Sequence, residues 1–133
     1  MNKLMYKRTI VESCYDHLGG ILGEALFKFL LKEKWIENSD GEYNITDKGW
    51  EELEIMGLEV DILRNTKRKI VNICLQSNYG IFHEHIGAQL GSLLMELMID
   101  LNWLEKKDEK RFELTGTGIF GLESLGVEIK KFV

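Results

Sequence analysis

The chain has 133 residues, about one domain's worth. An apolar fraction of 44% beside a charged fraction of 29% lies close to globular averages and excludes wholesale disorder. Seventeen basic and 22 acidic residues leave a net charge of −5, so any contact with phosphate needs a local patch; proline is absent, and two cysteines make no disulfide framework and suit a reducing cytosol.

The first eight residues, Met1 to Arg8, contain no apolar run long enough for a signal peptide. The most apolar segments, residues 21–31 and 90–101, are interrupted by Glu24 and Lys28 and by Glu96 and Asp100. Both fall short of the roughly 20 apolar residues of a membrane span. A soluble, cytoplasmic protein with no membrane partner is expected.

Along the chain the clearest feature is a repeat. An offset of 68 places His17 on His85, Gly19 on Gly87, Leu22 on Leu90, Gly23 on Gly91, Leu26 on Leu94, Trp35 on Trp103 and Glu37 on Glu105. One residue later, at 69, Thr46 meets Thr115, Gly49 meets Gly118, Leu53 meets Leu122 and Gly57 meets Gly126. Leu18, Ile21, Leu22, Ala25, Leu26, Phe29 and Leu30 follow helical spacing, as do Ile86, Leu90, Leu93, Leu94, Leu97, Met98 and Leu101. Asp40-Gly41 between short alternating runs predicts a hairpin, and the second copy carries a charged turn, Lys106 to Arg111, in its place. Thr46 and Thr115 are predicted helix caps, with Gly57 and Gly126 ending those helices. Residues 61–76 read as a connector helix, with Ile62, Ile70, Ile73 and Cys74 as buried candidates and 77–80 as its break.

Helix, long apolar helix, two-stranded ribbon, helix is the grammar of a winged helix. The expected fold is mainly α with small β-hairpins (α+β), as tandem duplicated winged-helix-like units in one compact domain. Residues 8–60 form the first unit, and 61–133 the connector helix and the second. Glycine inside a helix costs about 1 kcal/mol against alanine, so Gly19, Gly23, Gly87 and Gly91 predict close packing of the two long helices about a pseudo-twofold axis.

The segment Cys14-Tyr15-Asp16-His17-Leu18-Gly19-Gly20-Ile21-Leu22-Gly23 resembles the CYDHLAG-x-LG stretch of ArsR-like bacterial transcriptional regulators. Tyr43-Asn44-Ile45-Thr46-Asp47-Lys48-Gly49 is similar to their Y-x-LT-x-x-G element, and Leu101-Asn102-Trp103-Leu104 to their L-x-WL. Cys74-Leu75 followed by His85-Ile86-Gly87-Ala88-Gln89-Leu90-Gly91 resembles their CLDW and HLAGALG run, although Gln76-Ser77 departs from it and the spacing is about two residues longer. The family's DNA-binding winged helix precedes the first of these motifs, whereas this sequence begins with Met1 just ahead of it. The resemblance therefore implies the C-terminal regulatory or dimerisation module without the N-terminal DNA-binding domain. Self-association is implied, and a partner protein supplying a DNA-binding domain fits the same picture.

Cys14, Asp16, His17, Cys74, His83 and His85 are the residues that invite a metal or ligand reading, because thiolate and imidazole suit zinc-like ions. No CxxC, HxxxH or HExxH spacing occurs. On a helix Cys14 and His17 share a side and His83 and His85 do not. Histidines at equivalent places of two units are read more simply as a repeated structural hydrogen bond, so no cofactor is assigned. Lys67, Arg68 and Lys69, beside Arg64, and Lys106, Lys107, Lys110 and Arg111 on the second hairpin are the candidate DNA contacts. Against them, Glu96 and Asp100 face outward from the helix before that hairpin, and residues 1–66 carry 8 basic against 13 acidic residues.

Nothing in the motifs points to an enzyme: there is no G-x-S-x-G and no nucleotide loop. The expected function is a non-enzymatic regulatory module acting by protein contacts and ligand sensing. The alternatives are a small DNA-binding regulator using the basic second wing, and a metal or small-ligand sensor.

Overall fold

The computed structural model describes residues 10–14, 17–78 and 81–129, and shows an α+β protein of helices and small antiparallel sheets. The order is β1 (Ile10–Cys14), β2 (His17–Leu18), α1 (Gly20–Lys32), β3 (Ile36–Ser39), β4 (Glu42–Ile45), α2 (Asp47–Met56) and α3 (Val60–Arg64). Then follow β5 (Asn72–Asn78), β6 (Ile81–Gly87), α4 (Ala88–Asp100), β7 (Leu104–Lys106), β8 (Arg111–Leu114) and α5 (Gly116–Leu125). Hairpin, helix, hairpin, helix thus occurs twice, with α3 between.

The long helices form where the apolar spacing predicts them. Leu22, Gly23, Leu26, Phe27, Phe29 and Leu30 are buried on α1, and Leu90, Gly91, Leu93, Leu94, Met95 and Met98 on α4. Among the positions expected on these stripes, Ile21 is 51% exposed with Phe27 buried in its stead, Leu101 lies exposed just past α4, and Leu18 and Ile86 belong to strands β2 and β6. Both helices start from an extended glycine, Gly19 or Gly87, followed by a left-handed residue, Gly20 at φ 62° or Ala88 at φ 57°. Alanine is strained there, which is evidence that packing dictates the entry geometry. Both exit through left-handed residues, Lys34 at φ 60° and Asn102 at φ 61°.

Downstream, Asp40 and Gly41 both take positive φ, the requirement of a tight hairpin turn. In the second hairpin Asp108 does the turning, accepting hydrogen bonds from the Lys110 and Arg111 amides at 3.0 and 2.9 Å. Thr46 caps α2 by accepting from the Gly49 amide at 2.9 Å, and Thr115 caps α5 by accepting from Gly118 at 2.9 Å. The same hydroxyls donate to the Lys34 and Asn102 carbonyls at 2.5 and 2.6 Å, tying each cap to the preceding helix exit. A Cβ on Gly49 would collide with the Trp35 carbonyl, and one on Gly118 with the Trp103 carbonyl.

Two expectations need correction. The helix expected over 61–76 is confined to Val60–Arg64, and the chain from Asn72 is the first strand of a long hairpin. Thr66 helps end it, its hydroxyl accepting from the Arg68 amide at 3.1 Å, a local bond that competes with helix continuation. Leu63 and Val71 are the buried residues here, while Ile62 is 48% exposed and Ile70, Ile73 and Cys74 are half-buried. Likewise the segment before α1 is the hairpin β1–β2, with no helix among its described residues.

The glycine packing also differs in its partner. A Cβ on Gly23 would lie 2.6 Å from the Leu18 carbonyl oxygen and 3.0 Å from the His85 Cβ, so this glycine admits strands rather than α4. Each long helix rests on the other half's hairpin, α1 on β6 and α4 on β2. Leu18, Gly23 and Leu26 meet Ile86, Gly91 and Leu94 around a residual space of about 10 Å³, too tight for more than about one water. Farther out, Gly57 abuts the Leu97 side chain and Gly126 abuts Phe29, each helix end leaning on the opposite long helix. One cluster of buried residues runs from Val11 to Ile129. β1 also crosses over to pair with β8, giving a sheet ordered β2-β1-β8-β7, whereas β3–β4 forms a separate ribbon. No helix among the described residues is long and apolar enough to cross a membrane.

Candidate metal centre

The two hairpins ahead of the long helices carry the cysteines and histidines. In β1–β2 the register sets Cys14 across from His17, and in β5–β6 it sets Cys74 across from His85. Two residues separate the first pair and ten the second, because β5–β6 is the longer hairpin. That difference hides the equivalence in the sequence, where the histidines match at an offset of 68 and the cysteines at 60.

Folding brings the two hairpins together. The Cys14 and Cys74 sulfurs lie 3.8 Å apart, in a thiol contact where either can donate. The ligating atoms of Cys14, Cys74 and His85 all fall within 4.8 Å of one another. His85 is completely buried and both cysteines are half-buried. Gly23 on α1 closes the back of the site against His85.

The other expected ligands fall elsewhere. Asp16 lies outside the described residues. His17 is placed by its strand register beside Cys14, and His83 stands across from Gln76, two positions from His85 along β6. The spacing of two that argues against cooperation on a helix has no such meaning on a strand, where alternate residues share a face.

The basic candidates form two separate groups. Lys67, Arg68 and Lys69 are exposed on the link between α3 and β5, while Arg64 stacks over the Trp50 ring at 4.3 Å. On the β7–β8 ribbon Lys107 is engaged by Glu105 at 3.3 Å and Glu113 at 3.4 Å. Its ammonium is held above the usual lysine value, chiefly by the hydrogen bond to Glu105. Arg111 donates from Nε to Asp108 at 2.6 Å, and that bond, with the Lys110 amide, holds the Asp108 carboxyl below its usual value. Lys106 and Lys110 are exposed on the same ribbon. Two of its four cations are therefore already matched by carboxylates.

A shallow groove of about 250 Å³ runs between α1 and the chain after α5, lined by Ile21, Phe29, Lys32 and Glu128 among others. It shares no residue with the cysteine–histidine cluster.

The chain matches no known family model and no solved structure. It is 26% identical over 119 residues to YdfF of Bacillus subtilis (strain 168), described as an uncharacterized HTH-type transcriptional regulator. The match covers 88% of this chain and 52% of YdfF, so the chain spans about half the length of that curated relative. A similarity of this extent supports a relationship to transcriptional regulators.

Proposed function

We propose that the chain is a non-enzymatic regulatory module of the transcription-regulator type, made of two winged-helix-like units from one duplication and working through protein contacts. The observation that carries this reading is the similarity to an HTH-type regulator over nearly nine-tenths of the chain. The paired caps, left-handed exits and crossed helix contacts support the duplication. In this reading the ArsR-like resemblance extends to function: the module associates with a second copy, and it serves a DNA-reading domain carried by its own chain or by a partner.

A role for the β7–β8 ribbon as a DNA-contacting wing is the weaker reading. Carboxylates from Glu105, Glu113 and Asp108 already neutralise Lys107 and Arg111, and a phosphate would have to displace them. A mobility-shift titration on random duplex DNA tests the choice. No shift at micromolar protein, at low or moderate salt, is expected. A shift that weakens steeply with salt would overturn the protein-contact reading in favour of phosphate binding.

A further inference from the structure

We propose that Cys14, Cys74 and His85 form a three-donor binding site for a thiophilic divalent cation of the zinc class. The proposal rests on the regulatory reading only for its purpose, as an input that staples the two halves. Binding itself stands on the geometry.

Tetrahedral zinc with thiolate bonds of about 2.3 Å holds its two sulfurs about 3.8 Å apart. The Cys14 and Cys74 sulfurs are 3.8 Å apart, while a disulfide would require about 2.05 Å between them. The widest separation in the group, 4.8 Å, exceeds the roughly 3.5 Å between sulfur and nitrogen in a loaded site by about an ångström, which a small side-chain rotation closes. Two cysteines and one histidine leave one tetrahedral position. Water takes that position, as at open zinc sites.

Charge favours the same donor set. Two thiolates balance a divalent cation, and a neutral imidazole adds nothing, so the loaded centre carries no net charge. That matters beside a fully buried His85, where an unbalanced charge would be costly. On binding, each thiol releases its proton to solvent as a sulfur–metal bond forms, and no electron is transferred. The donors come from β1, β5 and β6, in two hairpins 60 residues apart at their cysteines, so the metal would join halves that the chain connects only through α3.

The test is a cobalt titration of the reduced, metal-free chain, read by the visible absorption of tetrahedral cobalt–thiolate, followed by displacement with zinc. One cobalt per chain, thiolate-to-cobalt absorption, displacement by an equivalent of zinc and a zinc-dependent rise in melting temperature are expected. Cys14→Ser, Cys74→Ser and His85→Asn should each weaken binding by at least about 100-fold, with far-UV circular dichroism unchanged. If His85→Asn does not fold, the Cys14→Ser/Cys74→Ser pair decides. No thiolate absorption in the wild-type chain, or undiminished binding by that double variant, overturns the site. Failure here leaves the DNA mobility shift unchanged, so it is distinguishable from failure of the regulatory reading.

Discussion

At the scale of single residues, the chain uses small groups to fix where backbones meet. Gly23 admits the Leu18 carbonyl and the base of His85 to the inner side of α1. A carbonyl oxygen held in a strand cannot yield as a flexible side chain would. Gly23→Ala should therefore cost about 1–3 kcal/mol, measured by urea unfolding, and a null effect would show that β2 can shift freely. The threonine caps make a sharper comparison. Thr46→Ala and Thr115→Ala should each cost about 1 kcal/mol, because each removes one acceptor from an otherwise unsatisfied helix amide. On the β7–β8 ribbon Asp108 is held below its usual value, so its contribution to stability is complete above the ordinary aspartate range and fades as pH falls through the lowered value. Lys107, held above its usual value, behaves in the opposite sense: its contribution is complete below the ordinary lysine range and fades as pH rises through the raised value. Both groups are exposed, so the changes are small. The direct check is NMR titration of the Asp108 carboxyl, whose midpoint should rise toward the ordinary aspartate value in Arg111→Gln.

At the scale of elements, the two long helices should answer alike to the same injury. Leu22 and Leu90 are almost wholly buried at corresponding places on α1 and α4. Leu22→Ala and Leu90→Ala should each cost about 2–5 kcal/mol in denaturant unfolding, and a large disparity would mean that the helices sit in unlike environments. These helices were legible in the sequence, because four turns of apolar spacing carry their own signal. So were the Asp40-Gly41 hairpin and the threonine caps, whose chemistry is local. The hairpins β1–β2 and β5–β6 were not. Residues 72–78 have no strict alternation, and Ile70, Ile73 and Cys74 fit a helical stripe as readily as a strand. The strand β5 exists because residues 81–87 pair with it, a partner that periodicity within one segment cannot reveal. The candidate centre was hidden for the same reason. Its histidines were visible as a repeat, but the second hairpin runs four strand pairs past Cys74 and His85, and those eight extra residues displaced Cys74 from the register that would have matched it to Cys14.

At the scale of the whole molecule, the halves are crossed rather than placed side by side. α1 rests on β6, α4 rests on β2, and β1 leaves its own half to extend the β7–β8 ribbon. Val11 and Phe112, paired across that junction, are both buried in the common cluster. Neither half then retains a complete core alone. This interlocking is what lets a duplicated chain behave as one regulatory unit in the proposed reading, and it has a direct test. Trp103→Phe leaves Trp35 and Trp50 to report on the first half, and Trp35→Phe/Trp50→Phe leaves Trp103 to report on the second. After allowing for each variant's own change in stability by circular dichroism, urea unfolding followed by tryptophan fluorescence should coincide with the circular dichroism transition in both variants. A fluorescence midpoint that departs from the circular dichroism midpoint in either variant would mean the halves melt separately, and would contradict a shared core.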